Sequence, residues 1–381
     1  MLAEIIKEVA GQFQEPEHNY YPRPSLAGSE RCTRQMVYWG LGIKKEQLPG
    51  RSLLVFDDSS WHEDLTADWI RKTVYQLHSE QMHINIDAGL SFLKERICHT
   101  KINGRECGII IPRGHLSGHI DGIVTDITGT DYLWEHKAIN HFTWQKYHDG
   151  TIPYDYVSQC CMYLRGLHEV NPNINRAILL MKNKNTAAYL EFIIYYDYDN
   201  DIAVIEKMTD SNNKSKEILE IIPDICKSCF DKFQAVNEYI SKQILPKRDY
   251  FIGDDWHCEY CGWAATCWEG YKKEFTELKT DTMLPDDVAD MLRYYKELGG
   301  QKSDIEKEYK ELSSKIKETM KQIGAREGRA GEFIARLTLT ETSRIDKELL
   351  TEAEIEKATV KSISERLYVS TPKEIKGVVN G

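Results

Sequence analysis

The spacing of hydrophobic positions changes several times along the chain, and each change predicts an element. Residues 1–24 read as a short amphipathic helix followed by a proline-rich entry at Pro16, Pro22 and Pro24. Residues 25–42 read as a capped helix carrying Cys32, and residues 61 to about 77 as a second helix with His62 near its start. From about residue 96 to residue 137 short apolar runs are broken by Gly104, by Pro112-Arg113-Gly114 and by Thr128-Gly129, the pattern of successive strands. Residues 154–167 return to helical spacing, with Gln159 and Tyr163 four apart and therefore on one face. Two apolar runs, 177–181 and 188–196, flank a Lys/Asn-rich turn and predict a hairpin. Residues 201 to about 244 read as helical throughout.

Beyond residue 276 the texture changes. Ile305, Tyr309, Leu312, Ile316 and Ile323 follow a 4-3-4-7 spacing, a heptad-like stripe on an otherwise charged helix. Gly299-Gly300 is expected to separate it from an earlier helix over residues 285–298, and Phe333, Ala335, Leu337 and Leu339 alternate as in a strand. The chain is thus expected to divide into a core over residues 1–275 and a helical, coiled-coil-like extension with a small strand unit over residues 276–381. The stripe is expected to be a packing seam, within the chain or in a dimer.

Composition narrows this picture. The 381 residues are 41% hydrophobic and 29% charged, with a formal net charge of −11. Such a balance supports a folded core and argues against a protein that coats nucleic acid through bulk charge. It leaves room for an enzyme that holds nucleic acid in a local groove. No basic leader and no long apolar run is present, so a cytoplasmic protein is expected. In that compartment the ten cysteines are ligands, core residues or free thiols rather than disulfides.

Three of them, Cys258, Cys261 and Cys267, form C-x2-C-x5-C. Three soft ligands within ten residues point to a metal centre that needs a fourth ligand. The candidates are the Cys226/Cys229 pair, which falls inside a predicted helix, and the distant Cys32. Ligand chemistry alone leaves zinc and an iron–sulfur cluster open. Trp256, Trp263 and Trp268 are placed to shield such a centre, and the remaining cysteines, Cys98, Cys107, Cys160, Cys161, Cys226 and Cys229, read as buried small hydrophobes.

The densest chemistry lies in Gly118-His119-Ile120-Asp121-Gly122 and Leu133-Trp134-Glu135-His136-Lys137. Residues two apart on a strand share a face, so Glu135 and Lys137 point the same way. Two carboxylates with a lysine beside them suit a hard divalent cation and phosphate. His119 and His136, which flank the acids, are read as lying outside the site.

Taken in order, these features resemble the PD-(D/E)xK nuclease superfamily, in particular its RecB-like branch with a four-cysteine iron–sulfur cluster. The resemblance runs from about residue 25 to residue 268. It comprises Cys32 in Glu30-Arg31-Cys32-Thr33-Arg34, His62 on its helix, Asp121, Glu135-x-Lys137, Gln159-x-x-x-Tyr163 and the closing C-x2-C-x5-C. The glycine often found shortly before the family's histidine is absent from Asp57-Asp58-Ser59-Ser60-Trp61-His62. The tail, with its Lys/Glu-rich helix and Ser343-Arg344-Ile345-Asp346, resembles the end of YqaJ-type viral recombination exonucleases.

The resemblance implies an α/β, restriction-endonuclease-like core, a central mixed sheet flanked by helices. It implies a 4Fe-4S cluster on Cys32, Cys258, Cys261 and Cys267, with zinc as the lesser alternative. Mg²⁺ or Mn²⁺ would sit on His62, Asp121 and Glu135, with Lys137 as the catalytic residue and Gln159 and Tyr163 facing the site. The implied activity is a metal-dependent DNA exonuclease resecting duplex ends 5′→3′ in phage-type recombination, in a bacterial or phage-infected cell. The alternatives are a single-strand trimming nuclease of the CRISPR-adaptation type and a non-catalytic DNA-binding protein. DNA is the expected partner, with a single-strand annealing protein and a second copy of the chain as further ones.

Overall fold

The computed structural model describes residues 2–13, 19–102, 105–250, 256–276, 283, 285–331 and 333–339. The expectations that rest on Gly104 and on residues 343–346 lie outside them. The chain forms two units, Met1–Glu269 and Gly270–Gly381.

The first unit opens with helix α1 (Leu2–Gln12), a 3-10 turn (Pro24–Leu26), α2 (Thr33–Gly40) and α3 (Gly50–Ile70). Short strands β1 (Gln76–His78) and β2 (His83–Asp87) lead to a hairpin of β3 (Arg96–Ile102) and β4 (Arg105–Ile111). Then come β5 (His115–His119), β6 (Gly122–Thr125), β7 (Asp131–Ile139), α4 (His141–His148) and α5 (Tyr154–His168). Strands β8 (Arg176–Asn183), β9 (Tyr189–Asp197), β10 (Ile202–Asp210) and β11 (Ser215–Ile222) precede α6 (Ile225–Lys242), α7 (Trp256–Glu259) and α8 (Ala264–Thr276), whose residues from Gly270 on are counted in the second unit.

Seven strands form one mixed sheet in the order β1-β6-β7-β8-β9-β10-β11. Only β7 and β8 run parallel, joined by the α4–α5 crossover, while the other neighbours are antiparallel. Helices flank this sheet. On one face α5 lies across β7, β8 and β9, and α6 packs on α5 and α2. Alternate residues of the strands, such as Leu133, Leu179, Met181, Phe192 and Ile194, turn to that face and join Val157, Cys160, Cys161 and Leu164 of α5 in the main core. Each such aliphatic or aromatic side chain contributes about 1.5–3 kcal/mol on full burial. The intervening residues of β7 turn to the other face, where Trp134 packs with Ala67 of α3 and Val124 of β6.

Several boundaries differ from the sequence reading, each for a local reason. Residues 201–222 are two strands, not helix. Ile202 and Val204 are β-branched, burial alternates along β10, and Asp210 Oδ1 accepts the Asn212 and Lys214 N–H groups to close a hairpin turn. Helix α2 starts at Thr33 because the preceding turn is held by tertiary contacts. A Cβ on Gly28 would lie 2.0 Å from Asp155 Oδ1, and Asp155 accepts the Glu30 N–H at 2.8 Å and pairs with Arg31 at 3.2 Å. Helix α3 begins eleven residues earlier than the reading (Gly50 against residue 61) and stops at Ile70, so His62 is mid-helix and residues 76–78 are strand. Gly50 is needed at its start, since a Cβ there would lie 1.9 Å from the Lys7 carbonyl of α1.

The second unit contains α9 (Asp286–Gln322) and a hairpin of β12 (Glu327–Ala330) and β13 (Phe333–Arg336). Helix α9 runs unbroken through Gly299-Gly300. A glycine costs a helix only about 1 kcal/mol relative to alanine, too little to break one of this length. Among the described residues no helix is long and apolar enough to cross a membrane.

Candidate active site

Strand β6 pairs with β7 only as far as Gly122 opposite Trp134. Beyond Trp134 that edge of β7 meets a side chain instead: the His136 N–H donates to Asp121 Oδ2 at 2.7 Å. The break between β5 and β6 thus turns Asp121 onto the edge of β7, beside the face that carries Glu135 and Lys137. Glu135 is 1% exposed, and Lys137 forms an ion pair with its Oε1. Gln159 of α5 donates to the same oxygen at 2.8 Å. Glu135 Oε2, by contrast, is buried with no hydrogen-bond partner.

The electrostatics follow from this crowding. Burial pushes the Glu135 carboxyl up to about 8, and the charges of Asp121 and Glu63 add to the rise, against the pull of Lys137. Burial raises Asp121 too, opposed by Lys137 and the His136 N–H. Burial works to discharge the Lys137 ammonium, but Glu135 and Asp121 outweigh it and hold the lysine charged. Tyr163 is buried beside the pair. A Cβ on Gly118 would lie 2.8 Å from its hydroxyl, so glycine is required there. Burial, then Glu135 and Asp121, keep that hydroxyl protonated.

The structure therefore brings together Asp121, Glu135, Lys137, Gln159 and Tyr163. His62 meets Asp58 on its own helix. Its Nε2 is 3.7 Å from Asp58, and burial followed by the charges of Lys182 and Lys184 lowers its pKa. The neighbouring Glu63 takes the place beside the acids. Burial raises its carboxyl to about 7, with the Asp121 charge as the next contribution and Lys137 opposing. Successive helical residues are about 100° apart, so His62 and Glu63 leave α3 in different directions. The sequence reading missed Glu63, and its only signal was adjacency to His62.

His119 meets His83 across the β2–β5 pair at 3.4 Å. The His136 ring turns to the other sheet face, where its Nε2 lies 3.2 Å from Thr66 Oγ1. Burial lowers the His136 pKa to about 3. Tyr156 is a further missed neighbour, its ring 5.5 Å from the Lys137 ammonium.

The four candidate cluster ligands share a cavity. Cys32, at the N-cap of α2, lines one cavity with Cys258, Cys261 and Cys267. Arg34 and Arg248 line it as well, and Arg248 donates to the Cys267 carbonyl at 3.0 Å. Asp249 ties the N-terminus of α2 by accepting the Thr33 N–H at 2.6 Å. Burial raises the Cys32 thiol to about 12 and raises Cys261 as well. Trp263 is buried nearby and donates to the Ile43 carbonyl at 2.8 Å, while the side chain of Trp256 lies outside the described residues. Cys160, Cys161, Cys226 and Cys229 are buried, whereas Cys98 and Cys107 are half-buried. Among the described residues no three His, Cys, Asp or Glu side chains are drawn together into a set that could hold a metal ion.

No family model and no curated relative matches the chain. A solved structure described as "Crystal structure of SSO0001" is similar over 70% of this chain and 96% of that one, at 12% identity and a TM-score of 0.33. That likeness is too low to carry an argument.

Proposed function

We propose that the chain is a metal-dependent DNA exonuclease that hydrolyses phosphodiester bonds, resecting duplex ends 5′→3′. The observation that carries this reading is Glu135 Oε2, a buried carboxylate oxygen without a partner beside Asp121 and Glu63. A buried acceptor left unsatisfied costs about 1–3 kcal/mol, and more when charged. The three acids are not drawn together as a finished cation site, and a hard divalent cation that gathered Asp121, Glu135 and Glu63 would satisfy that oxygen and ionise all three. When bound, Mg²⁺ or Mn²⁺ supplies Lewis acidity toward water and the scissile phosphate.

The chain's own groups do the positioning. The His136 N–H fixes the Asp121 carboxylate, and Gln159 fixes Glu135. Lys137 stays protonated, so it orients the attacking water and donates to the phosphoryl oxygens as negative charge builds there.

The cysteine cavity suits a 4Fe-4S cluster on Cys32, Cys258, Cys261 and Cys267. Its four thiols and two lining arginines fit an anionic metal–thiolate centre. Its role would be to tie α2 to the C-terminal end of the unit, with no redox part in cleavage.

End-labelled linear duplexes incubated with the purified protein and Mn²⁺ test the reading. Progressive shortening of the 5′ strand is expected, and Lys137→Ala should abolish it. Intact DNA with the wild-type protein would refute the assignment, and shortening from the 3′ end would refute the polarity.

A further inference from the structure

Helix α9 carries a seam longer than the stripe of residues 305–323. With Ile316 at position a of a heptad, the a positions run Val288, Tyr295, Lys302, Tyr309, Ile316 and Ile323. The d positions run Met291, Leu298, Ile305, Leu312 and Thr319. Only Lys302 and Thr319 interrupt the apolar series. The register spans five heptads (323 − 288 = 35 residues), more than the roughly three or four that mark a coiled coil.

The seam is open to solvent. Apart from the half-buried Val288, its large apolar residues range from 43% exposed at Leu298 to 74% at Tyr309. A row of this length left facing water is a partner surface rather than ordinary surface scatter.

Residue choice along the seam specifies the partner. Isoleucine at a (Ile316, Ile323) with leucine at d (Leu298, Leu312) favours two parallel strands. A single lysine at an a position sets register and limits the assembly to a dimer, at a cost in stability. The flanking positions permit self-pairing. In a parallel pair Gln301 faces Glu306 and Glu308 faces Ser313, so no like charges oppose at the flanks, where Met320 is already buried within its own chain, and the one like-charge meeting is Lys302 with its counterpart at a. Gly299 and Gly300 fall at e and f, off the seam.

We propose that α9 pairs in parallel and in register with α9 of a second copy, making the protein a coiled-coil homodimer. Sedimentation equilibrium of the full chain tests this. The expected mass is twice the 44.2 kDa of one chain, and Ile316→Glu should return it to one. A wild-type monomer would overturn the proposal, because it would leave the seam to residues 340–381 of the same chain. A dimer that survives Ile316→Glu would overturn it equally.

The register has its own test. Differently tagged wild-type and Lys302→Glu chains, mixed and exchanged, should form heterodimers in excess of the statistical half, since Lys302 then meets a glutamate. Native mass spectrometry reads the ratio, and a statistical distribution would overturn the parallel register. Neither measurement involves DNA cleavage, so the outcome is independent of the nuclease reading.

Discussion

Replacing Glu135 with glutamine should remove a large part of the pH dependence of stability in the metal-free protein. The Glu135 carboxyl titrates at about 8 in the folded state against an ordinary 4.5. The folded state therefore holds a proton that the unfolded chain releases, and stability falls as pH rises from about 4.5 to about 8. Below that window the proton is bound in both states and the effect is absent. Between pH 5.5 and 8 the difference in proton binding amounts to about 3 kcal/mol. With a urea m-value of about 3 kcal/mol/M, the midpoint should fall by about 1 M. Urea unfolding in EDTA at those two pH values measures it. Glu135→Gln should raise the midpoint at pH 8, reduce the slope, and leave the part contributed by Glu63, raised to about 7, and by Asp121, also raised. Adding Mn²⁺ to the wild-type protein at pH 8 should recover the lost stability, because the cation takes the place of the proton. Equal midpoints at the two pH values, or an unchanged slope in Glu135→Gln, would refute the argument that burial and neighbouring acids keep this carboxyl protonated.

Other expectations concern the same groups. Lys137→Ala should lower cleavage at least about a hundredfold while DNA binding, read by fluorescence anisotropy, persists. Glu63→Gln should raise the Mn²⁺ concentration for half-maximal activity at least about tenfold, and His62→Gln should change it less. The reverse ranking would return the third ligand to His62. Anaerobically purified protein should be brown and Cys261→Ser colourless, whereas colourless wild-type protein carrying stoichiometric zinc would exclude the cluster.

Much of the core was legible because its signals are local. Alternation along residues 133–139 put Glu135 and Lys137 on one face, and the structure turns that face to α5. Helical spacing put Gln159 within reach, and it donates to Glu135. The legible part ended where a tertiary contact overrides local pattern. The turn before α2 is held by Asp155, from far along the chain. Strands β10 and β11 were hidden because an apolar run of that length fits either a strand or a buried helix until its neighbours are known.

The sequence by itself determined the alternating strands, the faces they present, the four cysteines and the heptad register of α9. All of these depend on the fixed periods of helix and strand. The tertiary structure alone brought the Glu63 carboxyl within range of the Asp121 charge, since α3 packs on β7. It alone decided that Asp121 occupies the edge of β7 where β6 departs. It alone left Glu135 Oε2 buried without a partner. Burial and an unpaired oxygen arise from several elements closing on one point, and no period along a single chain records them.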